Sequence, residues 1–404
     1  MTKQTPLGPL PIDWSCAPIG RICKVASGGT PSRKNSEYWG GNIRWAKTAE
    51  LNQIFINYTS EGITEAGLKN SSAKVFPAGT ILMALYGQGK TRGMVGLLQI
   101  EAAINQACAA IEPSDCLETE FLFQYLRSKY TNIRNLSNTG GQENLSGDIV
   151  KGIQVPLPSL PEQKKIAEIL STWDDALEKL DDLINAKVKQ KHGLMQQLLT
   201  GRKRLPGFAG EWREKSLGQL FKHRKETKRG DLRLLSITAS RGVIDRSELE
   251  KKDSSNADKS KYLRIAPGDI GYNTMRMWQG VSALSSLEGI ISPAYTVCIP
   301  QREIRGEFAA HFFQLPKIVS LFHRYSQGLV SDTLNLKFPN FAQISVTVPD
   351  DLKEQAAIAA VLDTADQEIS LLKQKRNAVD EQKRGLMQQL LTGKVRVKLE
   401  AAEA

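Results

Sequence analysis

Two short stretches of this chain carry side chains suited to reading nucleic acid. One is Tyr86-Gly87-Gln88-Gly89-Lys90-Thr91-Arg92-Gly93; the other is Tyr272-Asn273-Thr274-Met275-Arg276-Met277-Trp278-Gln279-Gly280. Arg and Lys reach the acceptor edge of guanine, Asn and Gln bond adenine, and an aromatic or Met side chain meets methyl groups or stacks. Gln88, Lys90, Thr91 and Arg92 in the first stretch, and Asn273, Arg276, Trp278 and Gln279 in the second, are the candidate DNA-contacting residues. Pairing Tyr86 with Tyr272 would set Lys90 opposite Arg276. Arg33 and Lys34, which close the Gly28-Gly29-Thr30-Pro31-Ser32 turn, are phosphate candidates, with Lys47, Arg241 and the Lys251-Lys252 and Lys259-Lys261 clusters. Trp45, beside Lys47, reads as core. The competing reading is of glycine-rich surface turns whose charges only face water.

Motifs for catalysis are incomplete. The run from Ala84 to Thr91 ends like a phosphate-binding loop, but Gly-x-x-x-x-Gly-Lys-Thr requires glycine where Ala84 stands. Pro349-Asp350-Asp351-Leu352-Lys353 has the letters of a nuclease motif compressed into one turn, and reads as a helix N-terminus whose dipole favours acids. The Gly-Gly pairs at 40–41 and 140–141 make no Gly-x-Gly-x-x-Gly fingerprint, and no Asn-Pro-Pro-Tyr-like tetrapeptide of adenine methyltransferases occurs. The expectation is a chain without an active site of its own.

The net charge is +11, and residues 202–264 alone hold 18 Lys plus Arg against 9 Asp plus Glu. Such a balance favours polyanions through counterion release, although a solubilising surface would have the same composition. Five cysteines without Cys-x-x-Cys spacing and four scattered histidines argue against a structural zinc site. No apolar signal region opens the chain, and no run approaches the roughly 18 to 20 apolar residues of a membrane span. These features predict a soluble, reducing, cytoplasmic setting.

The elements that must position the candidate loops are repeated. Gln-Lys-His-Gly-Leu-Met-Gln-Gln-Leu-Leu-Thr-Gly at 190–201 recurs 192 residues later with one change, and Glu162-Gln163, Ile166, Leu170 and Asp174 match Glu354-Gln355, Ile358, Leu362 and Asp366. Apolar residues at heptad steps predict two long helices with a seam through Ile166, Leu170, Trp173, Leu177, Leu180, Ile184, Leu194 and Leu198 in the first copy. In the second copy the seam runs through Ile358, Leu362, Ile369, Leu372, Leu386 and Leu390. Lys191 and Lys383 interrupt it at equivalent places, where a polar residue fixes register at some cost in stability. Each helix either packs on its own domain alone or pairs with its copy, and a local twofold would make that pairing antiparallel.

Between the helices lie two dissimilar domains of the α/β or α+β class with mixed sheets. Strands are expected at 80–85 and 269–273, each leading into a candidate loop, and helices at 120–128 and 307–325. Short matches, Ile104 to Ala107 with Ile291 to Ala294 and Asn144-Leu145 with Asn335-Leu336, tie the domains together. The division is 1–157, 158–205 for the first spacer helix, 206–349, and 350–404 for the second spacer helix and tail.

With the duplicated Gly-Leu-Met-Gln-Gln-Leu-Leu-Thr-Gly ends, Pro-Leu-Pro-Ser-Leu-Pro-Glu-Gln at 156–163, Gly-Gly-Thr-Pro-Ser at 28–32 and the loop at 272–280, the chain resembles the specificity subunits of type I restriction-modification enzymes over its full length. The resemblance implies two target-recognition domains, each reading half of an asymmetric, interrupted duplex DNA site, separated by an antiparallel coiled coil. It implies docking of two methyltransferase subunits and of motor-nuclease restriction subunits, in a bacterial or archaeal cytoplasm. S-adenosylmethionine, ATP and Mg would be held by those partners and none by this chain. The other reading is a coiled-coil scaffold whose variable domains bind proteins.

Overall fold

The two repeated segments form helices of equal length, Leu160–Leu198 and Leu352–Leu390, each of 39 residues. The computed structural model describes residues 1–87, 89–136, 144–238, 241–249, 258–330 and 333–399; Gln88, Gly140-Gly141 and Lys251-Lys252 lie outside the described residues. Asp351 starts the second helix by accepting from the Lys353 amide at 2.7 Å, as its reading as a helix N-terminus requires. Both helices stop at a glycine in the left-handed region, Gly201 at φ 69° and Gly393 at φ 68°, where a side chain would be strained. No described helix is long and apolar enough to cross a membrane.

The chain divides into two units, Met1–Asp181 with Lys375–Ala404, and Asp182–Gln374. Each unit therefore contains one mixed α/β domain and part of both long helices. In the first unit Lys383 pairs with Asp174 and Arg376 with Asp181, so partner numbers rise as helix numbers fall and the helices run antiparallel. The second unit repeats this with Lys191 to Asp366 and Lys187 to Glu368. The seam lysines thus meet an aspartate of the facing helix.

The apolar seam serves two contacts at once. Ile166 and Leu170 share a core with Leu390, Met387, Trp14 and Phe121 of the first unit; Leu198, Ile358 and Leu362 share one with Phe308, Phe341 and Leu217 of the second. Leu177, Ile184 and Ile369 are also buried, while Trp173, Leu180, Leu194, Leu372 and Leu386 are half-buried. Packing on the domain and pairing with the other helix are therefore not alternatives.

The Glu-Gln pair near each helix start anchors the domain to the helices. Gln163 accepts from the Glu118 amide and donates to the Pro158 carbonyl, and Gln355 does the same with Arg305 and Pro349. Glu162 accepts from Trp14 Nε1 at 3.0 Å and pairs with Arg396, as Glu354 pairs with Arg204.

Within the first domain a five-stranded sheet runs in the order Val25–Ser27, Cys108–Ile111, Ile81–Ala84, Val95–Leu98, Phe55–Ile56, antiparallel except for the last pair. The second domain has the antiparallel order Phe221–His223, Tyr295–Pro300, Ile270–Asn273, Ser282–Leu284. The central strands are those expected to precede the candidate loops. A smaller mixed sheet in the first domain orders Glu61–Ile63, Trp39–Ala46, Ala102–Ile104 and Val75–Phe76. The helix expected over 307–325 is instead two, Gly306–Phe312 and Pro316–Tyr325. Pro316 lacks an amide hydrogen to continue the first helix and holds Leu315 extended, so it opens the second.

Lys383 is only 3 % exposed. Burial, then the Arg127 charge, push its ammonium down to about 8 against the pull of Asp174. The folded value lies below the unfolded one, so the unfolded chain binds the extra proton between them. Unfolding free energy is expected to rise with pH from about 8 towards 10, and a Lys383→Met chain, followed by denaturant titration, is expected to lack that increment.

Candidate nucleic-acid interface

Both loops leave the middle of a sheet at the same point. Leu85 donates its amide to Ala107 O at 2.8 Å and Thr274 donates to Ala294 O at 3.1 Å; the Leu145 amide donates to Leu85 O and that of Leu336 to Thr274 O. These four bonds use the sequence-matched pairs Ala107 with Ala294 and Leu145 with Leu336. They set Leu85 opposite Thr274 and Tyr86 opposite Met275. Pairing Tyr86 with Tyr272 is therefore corrected: Tyr272 lies inside the strand with no exposed surface, at the place of Met83, whereas Tyr86 and Met275 are both exposed. The two tyrosines share a letter but not a place, one standing in a loop and the other in a strand.

The loops also close alike. Ala84 donates to Met94 O and Asn273 to Val281 O, and the preceding residues, Gly93 and Gly280, have φ of 80° and 79°. The first loop is two residues longer, so the structure fixes no counterpart for Arg276 in it. Lys90 is exposed, and its carbonyl accepts from Tyr130 Oη at 2.5 Å. Thr91 is half-buried and Arg92 is 6 % exposed, its guanidinium enclosed by the domain.

The second loop is braced by its own side chains. Asn273 Oδ1 accepts from the Met275 amide at 3.0 Å, Trp278 Nε1 donates to Met275 O at 3.0 Å, and the indole meets the His323 ring edge-on. This leaves Met275, Arg276 and Gln279 exposed with Trp278 half-buried beside them. Arg276 has no ion pair among the described residues.

The glycine turn at 28–34 is placed by close approach. A Cβ on Gly28 would stand 2.0 Å from Ile104 O, and one on Gly29 would stand 2.4 Å from the backbone of Ser72 and Ala73. Trp45 is core, as expected, and its Nε1 donates to Gly29 O at 3.0 Å. The Arg33 guanidinium lies 3.5 Å over the Trp39 ring and pairs with Glu61 at 2.5 Å, and Lys47 pairs with the same Glu61 at 2.6 Å. The bonds from Arg33 and then Lys47 hold the Glu61 carboxyl below the usual range. The turn therefore brings Arg33 and Lys47 together around an anion already present, with Lys34 exposed beside them. No spacing or motif pointed to Glu61 or Trp39 as their partners.

The arginines of 202–264 are partly paired, some with acids inside the stretch and some with acids outside it. Arg224 pairs with Asp269, Arg229 with Asp231, Arg264 with Glu226 and Glu288, and Arg241 with Glu248. Lys259 lies 4.9 Å from the Tyr262 ring centroid. Among the described residues no group of three His, Cys, Asp or Glu is placed to hold a metal ion.

Duplicated mixed α/β domains, each packed on a share of two antiparallel helices and presenting a loop from its central strand, define a two-module architecture on a copied scaffold. The chain belongs to the type I restriction modification DNA specificity domain family, whose profile matches residues 11–190 and 210–381. It is 35 % identical to the type I restriction enzyme MjaIX specificity subunit of Methanocaldococcus jannaschii over 44 % of this chain and 41 % of that one. Its identity with the EcoR124I/EcoR124II specificity subunit of Escherichia coli is 26 % over 40 % and 41 %. These alignments span about two fifths of each relative; that with the MjaVIII specificity subunit of M. jannaschii, at 23 % identity, covers 96 % of this chain and 94 % of the relative. The fold is similar to the crystal structure of the type I restriction-modification S subunit of M. genitalium, with a TM-score of 0.59 and 16 % identity over 96 % of this chain and 99 % of that one.

Proposed function

We propose that this chain is the DNA sequence-specificity subunit of a type I restriction-modification complex, without catalytic chemistry of its own. Residues 1–157 read one half of an asymmetric bipartite duplex site and 206–349 the other. The spacer segments 158–205 and 350–404 set the unspecified gap and dock two methyltransferase subunits and the restriction subunits. S-adenosylmethionine, ATP and Mg belong to those partners.

The observation that carries this reading is the pair of loops leaving equivalent strands through the same backbone bonds with different side chains: Lys90 and Tyr86 in one, Met275, Arg276 and Gln279 in the other. A copied scaffold accepts identical partners, and unlike loops read unlike half-sites. The phosphate contacts come from Arg33, Lys34, Lys47 and Arg241; Arg33, Lys47 and Arg241 exchange carboxylates for phosphates as they bind.

The competing scaffold reading is separated from this one by salt. The chain, assembled with its methyltransferase subunits, is expected to bind a duplex carrying its motif with log K falling by about 0.9 per phosphate contact for each unit of log salt. Binding that is flat in salt and indifferent to sequence would contradict the proposal.

A further inference from the structure

The first unit holds a cationic cleft that none of the candidate loop residues accounts for. A cavity of about 680 Å³ has Arg21, Lys24, Lys74 and Lys151 among its lining residues, with Glu112 and Cys23. Local packing brings the four cations together. Gly20 lets the short helix Ile19–Ile22 lie on Lys151, since a Cβ at 20 would stand 2.7 Å from Lys151 Cβ. The Ile19 amide donates to Ile153 O at 2.9 Å, and that of Glu112 to Lys24 O at 3.0 Å.

All four cations are exposed. Lys151 pairs with the exposed Asp148 at 3.1 Å, a contact of small worth in water, and the other three have no ion pair among the described residues.

The second unit lacks this feature at the equivalent positions. Leu217 donates to Ile344 O as Ile19 does to Ile153 O, and Gly218 packs on Ala342 as Gly20 does on Lys151. Gln219 therefore replaces Arg21, and Ala342 replaces Lys151. Pairing of Val75 with Ala103 and of Arg264 with Ile290 sets Leu263 at the place of Lys74. Only Lys222 keeps the charge, at the place of Lys24. The cleft is thus a property of the first domain alone and not of the shared fold. It also adjoins the glycine turn, because Lys74 follows the Ser72 and Ala73 backbone on which Gly29 rests.

We propose that the cleft formed by Arg21, Lys24, Lys74 and Lys151 takes the sugar–phosphate backbone of duplex DNA flanking the half-site read by the first domain. Like charges gathered round one cavity repel each other; phosphates relieve that repulsion and release condensed counterions. Contacts of this kind add affinity and fix register without reading bases. The proposal rests on the DNA-specificity reading.

The test uses the full chain assembled with its methyltransferase subunits, and compares wild type with the combined Arg21→Ala, Lys24→Ala, Lys74→Ala, Lys151→Ala variant. Affinity for a duplex bearing the methylated motif, and for one lacking it, is measured across a salt series. The slope of log K against log salt is expected to become shallower by about two to four. Affinity for both duplexes should fall by a similar factor, leaving their ratio and the methylated motif unchanged. A Lys222→Ala control is expected to change the slope by at most about one. If wild type discriminates between the duplexes and the variant keeps its slope, the cleft proposal falls alone. If the variant instead loses its methyltransferase subunits with the DNA slope intact, the cleft is a protein contact and the proposal is overturned. A wild-type assembly that prefers no sequence would overturn the specificity reading and this proposal with it.

Discussion

Replacing Asp174 with leucine is expected to lower the unfolding free energy of the first unit by about 3–5 kcal/mol, the range for stranding a buried charge. Asp174 accepts from Gln124 at 2.6 Å and Arg127 at 2.9 Å and pairs with Lys383 at 2.6 Å, and both members of that pair are buried. Burial, the largest single influence, raises the Asp174 carboxyl, but Arg127, Lys383 and the Gln124 bond together hold it below the usual carboxylate value. Leucine would leave two cations facing each other in a dry seam. The matching Asp366 is 47 % exposed and its partner Lys191 12 % exposed, so Asp366→Leu strands a less buried cation and is expected to cost less than Asp174→Leu. Denaturant titration of both full-length variants checks this, and the Asp174→Leu, Lys383→Met double variant is expected to recover most of the loss. Equal losses at the two aspartates would show that burial does not set the cost.

Arg276→Ala is expected to weaken binding of the motif-bearing duplex by about 1–3 kcal/mol, roughly 5- to 150-fold, and to relax one position in one half-site only. Arg276 is exposed at the tip of a loop braced by Asn273 and Trp278, and no carboxylate among the described residues competes for it. By contrast Arg241→Ala, at a side chain already paired with Glu248, is expected to weaken all duplexes slightly and alike. Competition binding against duplexes with single base-pair changes separates these patterns. A uniform loss across all duplexes with Arg276→Ala would make it a phosphate contact rather than a reader.

Repetition made the scaffold legible. The copied helix residues marked their own ends at Gly201 and Gly393, whereas the aspartates that meet the seam lysines became visible only in the structure, since a polar residue in the stripe does not say which side chain faces it. The central strands were legible from apolar runs after a Pro-Gly turn. The candidate site was less so. Tyr86 and Tyr272 are the same letter in different places, and only backbone bonds distinguish a strand residue from a loop residue. Glu61, which gathers Arg33 and Lys47, lies on another strand and is far from the turn in sequence. The charge excess of 202–264 gave no hint that Asp269 and Glu288, outside the stretch, pair with two of its arginines, while the cleft of the first unit draws its cations from three separated segments. Charge counts along a chain do not register which charges fold together.

The most direct test of the account exchanges residues 206–349 for the corresponding domain of a relative, assembles the chain with its methyltransferase subunits in cells, and maps methylated adenines across the genome. A bipartite motif is expected whose one half is retained and whose other half changes to that of the donor. A motif altered in both halves, or no motif depending on this chain at all, would contradict it.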